Sequence, residues 1–103
     1  MARGVARLDD RTDGTCSHPS HLVPIRIGGK IITASGDTKA NNKGVARLND
    51  IVLTDCGHRG KIITGSGTNK TNGRPTARLN DRVGEGHYVA TIITASSNTR
   101  VNS

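Results

Sequence analysis

At 103 residues, with no Phe, no Trp and a single tyrosine, Tyr88, the chain holds one domain whose core must come from Ile, Val, Leu and Ala. A core of that size calls for a staple, whether a metal, a disulfide or a partner surface. Fifteen Lys and Arg against eight Asp and Glu give a net charge of +7, but the cations are scattered and no aromatic platform accompanies them, which argues against a dedicated nucleic-acid binder.

The segment after Met1 is polar and glycine-bearing, without the apolar region of a signal peptide, and no stretch approaches the ~20 apolar residues that span a bilayer. The expectation is a chain made and kept in the cytoplasm. There, two cysteines serve as metal ligands or plain thiols more readily than as a disulfide. Ala6-Arg7-Leu8-Asp9-Asp10 comes first, then a polar stretch with Cys16, His18 and His21, then Ile31-Ile32-Thr33-Ala34-Ser35. The order recurs as Ala46 to Asp50, a stretch with Cys56 and His58, and Ile62 to Ser66; it recurs again as Ala77 to Asp81, a stretch with His87, and Ile92 to Ser96. Ile31–Asp50 aligns with Ile62–Asp81 without a gap, with twelve of twenty positions identical. Three units, at approximately 5–36, 45–67 and 76–97, therefore make up a single domain over 1–103.

The Ile-Ile-Thr stretches are β-branched and bounded by Gly, Ser and Asn, as expected of short strands closing into turns. Asp37–Gly44 and Thr68–Pro75 read as polar turns, and no window sustains a helical period. The predicted class is all-β. Strands around a pseudo-threefold axis would bury one Ile of each Ile-Ile pair and turn the other toward solvent or a partner.

The stretches between the constant elements carry the chemistry. Aligned on ARL(D/N)D, Cys16 falls with Cys56, and His18 falls with His58; the third stretch is two residues shorter and keeps only His87. A lone histidine in a polar loop is ordinarily solvated and idle. Here all four histidines and both cysteines lie in or just after the three equivalent stretches. If those stretches surround one axis, His18, His58 and His87 converge, and a cysteine completes the closed tetrahedral shell of a structural zinc site. Cys56 is taken as the fourth ligand, with Cys16 and His21 as alternates; a Cys16–Cys56 disulfide is the competing arrangement.

The chain resembles the PAAR-repeat family, named for a Pro-Ala-Ala-Arg motif that precedes each metal loop. Pro75-Thr76-Ala77-Arg78 is the closest copy, Val5-Ala6-Arg7 and Val45-Ala46-Arg47 keep the Ala-Arg half, and Asp10, Asp50 and Asp81 match the family's next aspartate. His58-Arg-Gly-Lys-Ile-Ile-Thr-Gly-Ser66 is similar to the family's His-Gly-Gly, strand, Gly-Ser pattern. The first two prolines are missing and the stretch from Cys16 to Gly29 is elongated. The resemblance implies a small conical fold with an apex pinned by one structural zinc, iron being the alternative, on three His and one Cys. It further implies a non-enzymatic part that caps a trimeric β-helical spike through its base and helps pierce the target cell envelope, touching the membrane transiently. Its place would be the tip of a phage tail or baseplate spike, or of a type VI secretion spike, assembled in the host cytoplasm. Two rival readings are a zinc hydrolase using Asp10, Asp50, Asp81 or Glu85, for which no HExxH spacing exists, and a basic adaptor with salt-sensitive binding to polyanions.

Overall fold

Twelve short strands and no helix account for the regular structure among the residues described by the computed structural model, 2–17, 23–84, 88–96 and 99–102. In chain order these are β1 (Ala2–Gly4), β2 (Arg11–Cys16), β3 (Ile25–Ile31), β4 (Lys39–Ala40), β5 (Lys43–Gly44), β6 (Ile51–Thr54), β7 (Arg59–Ile62), β8 (Lys70–Thr71), β9 (Arg74–Pro75), β10 (Arg82–Gly84), β11 (Tyr88–Ile92) and β12 (Arg100–Asn102). Six of them close an antiparallel barrel in the order β10-β11-β2-β3-β6-β7, which leaves no free edge. The remaining six pair as the ribbons β1-β12, β4-β5 and β8-β9. No helix among the described residues is long and apolar enough to cross a membrane.

The constant letters of the sequence each make a bond. In Arg7-Leu8-Asp9-Asp10 the Asp10 N–H donates to the Arg7 carbonyl at 3.0 Å, and Asp9 takes φ +71°. Asn49 (φ +72°) and Asn80 (φ +69°) hold the same place in the other two elements. These are turns with a left-handed third residue, a conformation that Asn and Asp tolerate better than most side chains. The next carboxylate, Asp10, Asp50 or Asp81, accepts the N–H of Arg7, Arg47 or Arg78 at 2.7 Å and two guanidinium bonds at 2.8–3.0 Å. A threonine from an Ile-Ile-Thr stretch donates to the same carboxylate: Thr94 to Asp10, Thr33 to Asp50 and Thr64 to Asp81. Each threonine also accepts the N–H that opens a barrel strand, at Arg11, Ile51 or Arg82.

Between the locks lies a closed ring of backbone bonds. Ala46 donates to Ala6, Ala77 to Ala46 and Ala6 to Ala77, at 2.9–3.0 Å, and all three alanines are fully buried. Above the ring the barrel interior begins with Ile31, Ile62 and Ile92, each with no exposed surface, while Ile63 and Ile93 stand half exposed. Each Ile-Ile pair thus divides between core and surface as expected, with Ile32 partly covered. The next layer is Val52, Val83 and Thr12, all buried. Thr12 stands where the other two copies have valine because Tyr88 fills the barrel there: the Thr12 and Tyr88 hydroxyls meet at 2.8 Å, and Tyr88 also donates to the Ile27 carbonyl at 3.2 Å. That burial pushes the phenol up from its ordinary value.

Two segments differ from the sequence expectation. Asp37–Gly44 and Thr68–Pro75 are not turns alone: each contains a two-stranded ribbon turned by Asn41-Asn42 (φ +53°, +66°) or Asn72-Gly73 (φ +53°, +78°). Two successive positive φ values give the two-residue hairpin turn that matches strand twist. The variable stretches expected as loops also begin as barrel strands, β2 and β6, so the loop proper starts only after Cys16 in the first copy and after Thr54 in the second.

Candidate metal centre

Cys16 closes β2, paired on one side with Ile25 of β3 and on the other with Tyr88 of β11. Held from both sides, it is fully buried. Cys56 lies in the short turn between β6 and β7. Thr54 N–H donates to the His58 carbonyl at 2.8 Å and Gly57 N–H to the Thr54 carbonyl at 3.0 Å, and Gly57 takes φ +91°. A three-residue loop ending in a left-handed glycine is a common way to turn a hairpin, and this one sets Cys56 and His58 beside each other.

The sulfurs of Cys16 and Cys56 each lie 3.3 Å from the same nitrogen, Nδ1 of His58. One donor atom from each residue falls within 4.8 Å of the others. A tetrahedral ion with Zn–S of about 2.3 Å and Zn–N of about 2.0–2.1 Å sets neighbouring ligand atoms roughly 3.5–3.8 Å apart. The trio therefore fits a metal ion with small adjustments. Both cysteines are free thiols, so the alternative of a Cys16–Cys56 disulfide is not what the structure contains.

Thr54 organises this turn, and sequence reasoning misses it. Its hydroxyl accepts the His58 N–H at 2.9 Å, lies 3.0 Å from the His58 carbonyl and 3.2 Å from the Cys56 sulfur. The hydroxyl beside that sulfur draws the Cys56 thiol below its ordinary range, against the opposing effect of burial. The signal that could have found it is the Thr-Asp-Cys-Gly-His run itself, in which a hydroxyl four residues before a histidine spans a short turn. Asp55 in the same turn pairs with Arg11 at 2.9 Å and donates its N–H to the Gly28 carbonyl, tying β6 back to the start of β2 and to β3.

Of the four ligands expected from the sequence, Cys56 and His58 are brought together, and the alternate Cys16 joins them. His18 and His87, together with the alternate His21, lie outside the described residues, as does Glu85. The carboxylates of Asp10, Asp50 and Asp81, considered as bases for a hydrolase, are bonded to Arg7, Arg47 and Arg78 at the other end of the barrel strands. No carboxylate stands in the Cys/His group among the described residues.

A family model for the PAAR motif matches residues 23–91, more than half of the chain. The chain belongs to the PAAR-motif family. That membership puts it among structural spike-tip proteins of phage tails and type VI secretion systems. Within the PAAR match fall Cys56, His58, His87 and the Pro75-Thr76-Ala77-Arg78 element, whereas Cys16 lies before it. No curated protein matches the chain closely enough to stand as a relative.

Proposed function

We propose that this PAAR-motif protein is a cap that sits, one copy per trimer, on the end of a trimeric β-helical spike of a contractile phage tail or type VI secretion system. It helps that spike pierce the target cell envelope, contacting the membrane only in passing. The observation that carries the reading is the division of labour along β2: an interlocked Ala/Arg/Asp ring at its start, and a Cys/His cluster at its end. Three copies of one unit, near 5–36, 45–67 and 76–97, let a single chain match a true threefold partner at one end and present a single point at the other.

The point is held by one structural ion, zinc rather than iron, bound by Cys56 and His58 with His18 and His87 from the other two stretches. A closed shell of that kind supplies folding free energy to loops with little apolar area of their own. Cysteine and histidine must be deprotonated to bind it, so the metal's contribution is present at neutral pH and lost as pH falls.

Two measurements test this. Complete chelation under reducing conditions should lower Tm, and stoichiometric zinc should restore it; with free zinc at a hundred times Kd the shift corresponds to about 2.7 kcal/mol. A Tm indifferent to metal sinks the pinned apex. Mass measurement of the complex with a trimeric spike protein should give one chain per three spike chains. Absence of a complex, or three caps per trimer, overturns the cap reading.

A further inference from the structure

We infer that Cys16 is a second thiolate ligand, so that the ion is held by Cys16, Cys56, His58 and one further histidine, and two of the four histidines in the chain stay outside the shell. The inference rests on the metal-pinned reading above and revises its ligand set, putting Cys16 in place of one of His18 and His87. Three observations carry it. First, the sulfurs of Cys16 and Cys56 are equidistant from His58 Nδ1, 3.3 Å each, so neither cysteine is better placed than the other. A centre with one sulfur would leave the second as a spectator thiol as close to His58 as the bound one.

Second, Cys16 cannot swing aside. It is the terminal residue of β2 with a β-partner on each side, its side chain has no exposed surface, and Tyr88 is packed in the same core cluster. A side chain so enclosed and aimed at a histidine nitrogen stays in the site whichever ion arrives. Third, the count closes. The equivalent stretch of the third copy has no cysteine, so the thiolates number two. With His58 that makes three donors, and a tetrahedral shell has room for one more.

The charge balance agrees. Two thiolates neutralise a divalent ion, whereas one thiolate with three neutral imidazoles leaves a residual positive charge at the tip of a chain already at +7. Paired soft sulfurs also bias the site toward zinc and away from harder ions.

X-ray absorption at the zinc edge of the loaded, full-length protein tests the assignment. Two sulfurs and two nitrogens are expected; one sulfur with three nitrogens overturns it while leaving the metal-pinned reading intact. Failure to bind zinc at all removes that reading and this one together. Cobalt substitution gives a second readout: the thiolate-to-metal charge-transfer band should fall to about half in Cys16→Ser and in Cys56→Ser alike, and an unchanged band in Cys16→Ser overturns the assignment. Should a cysteine variant fail to fold, the histidines decide. Among His18→Ala, His21→Ala and His87→Ala, one variant should lose more than the roughly 10–100-fold in zinc affinity typical of a lost supporting contact, and two should stay near wild type. Two variants with large losses count against the second thiolate.

Discussion

The start and the end of the barrel strands obey different rules. At the start, the aligned residues of the three stretches make the same bonds with the same atoms: Arg7, Arg47 and Arg78 clasp Asp10, Asp50 and Asp81, and Ala6, Ala46 and Ala77 pass hydrogen bonds around a ring. At the end, the aligned residues part company: Cys16 and Cys56 have no counterpart before His87, and the two cysteines reach the site by different routes, one from a strand end and one from a turn. Equivalent locks suit a scaffold because each is tied to the next by a threonine around a closed ring. The Cys/His end is asymmetric instead: two cysteines and a histidine, drawn from different places in the fold, meet at one point. Departures inside the scaffold are compensated in pairs, as where Thr12 meets Tyr88, or where Thr71 and Thr76 bond each other at 2.8 Å in place of apolar Ala40 and Val45.

Breaking a lock should have the largest effect. Asp81→Ala leaves the buried Arg78 guanidinium and its backbone N–H without their acceptor, which should lower the unfolding free energy by about 3–5 kcal/mol in urea titrations. The loss should be the same within about 0.5 kcal/mol in zinc-loaded and chelated protein, because the lock and the Cys/His cluster lie at opposite ends of the barrel strands. A loss that depends strongly on metal would mean the two ends are one network.

A smaller effect tests the paired departures. Thr71→Val alone strands the buried Thr76 hydroxyl and should cost about 1–3 kcal/mol, while Thr71→Val with Thr76→Val should recover most of it, since the equivalent sites are already apolar. If the double variant is no better than the single one, the copies are not interchangeable there. The smallest change concerns the metal end. Gly57→Ala forces a methyl onto φ +91° and should cost about 1–2 kcal/mol. Because the strained turn carries Cys56, zinc affinity should drop with it, and an unaltered affinity would show that the turn does not set the site.

Chain order and composition alone determined a great deal here. The recurrence of ARL(D/N)D and Ile-Ile-Thr announced an all-β scaffold, and period-two side-chain geometry called for one Ile of each pair to be buried; the fold decided that Ile31, Ile62 and Ile92 are those members. The Asn41-Asn42 and Asn72-Gly73 hairpins are equally legible as turn signals but pass for loops in the sequence, their flanking strands being only two residues long. Tertiary structure decided what alignment could not. Alignment ranks Cys16 and Cys56 as equivalents and offers no reason to use both; only barrel closure, which pairs β2 with β3 and β11 and β3 with β6, carries a residue 42 positions away to within 3.3 Å of His58. Ligand choice depends on which atoms meet in space, and that is set by strand register across the barrel rather than by spacing along the chain.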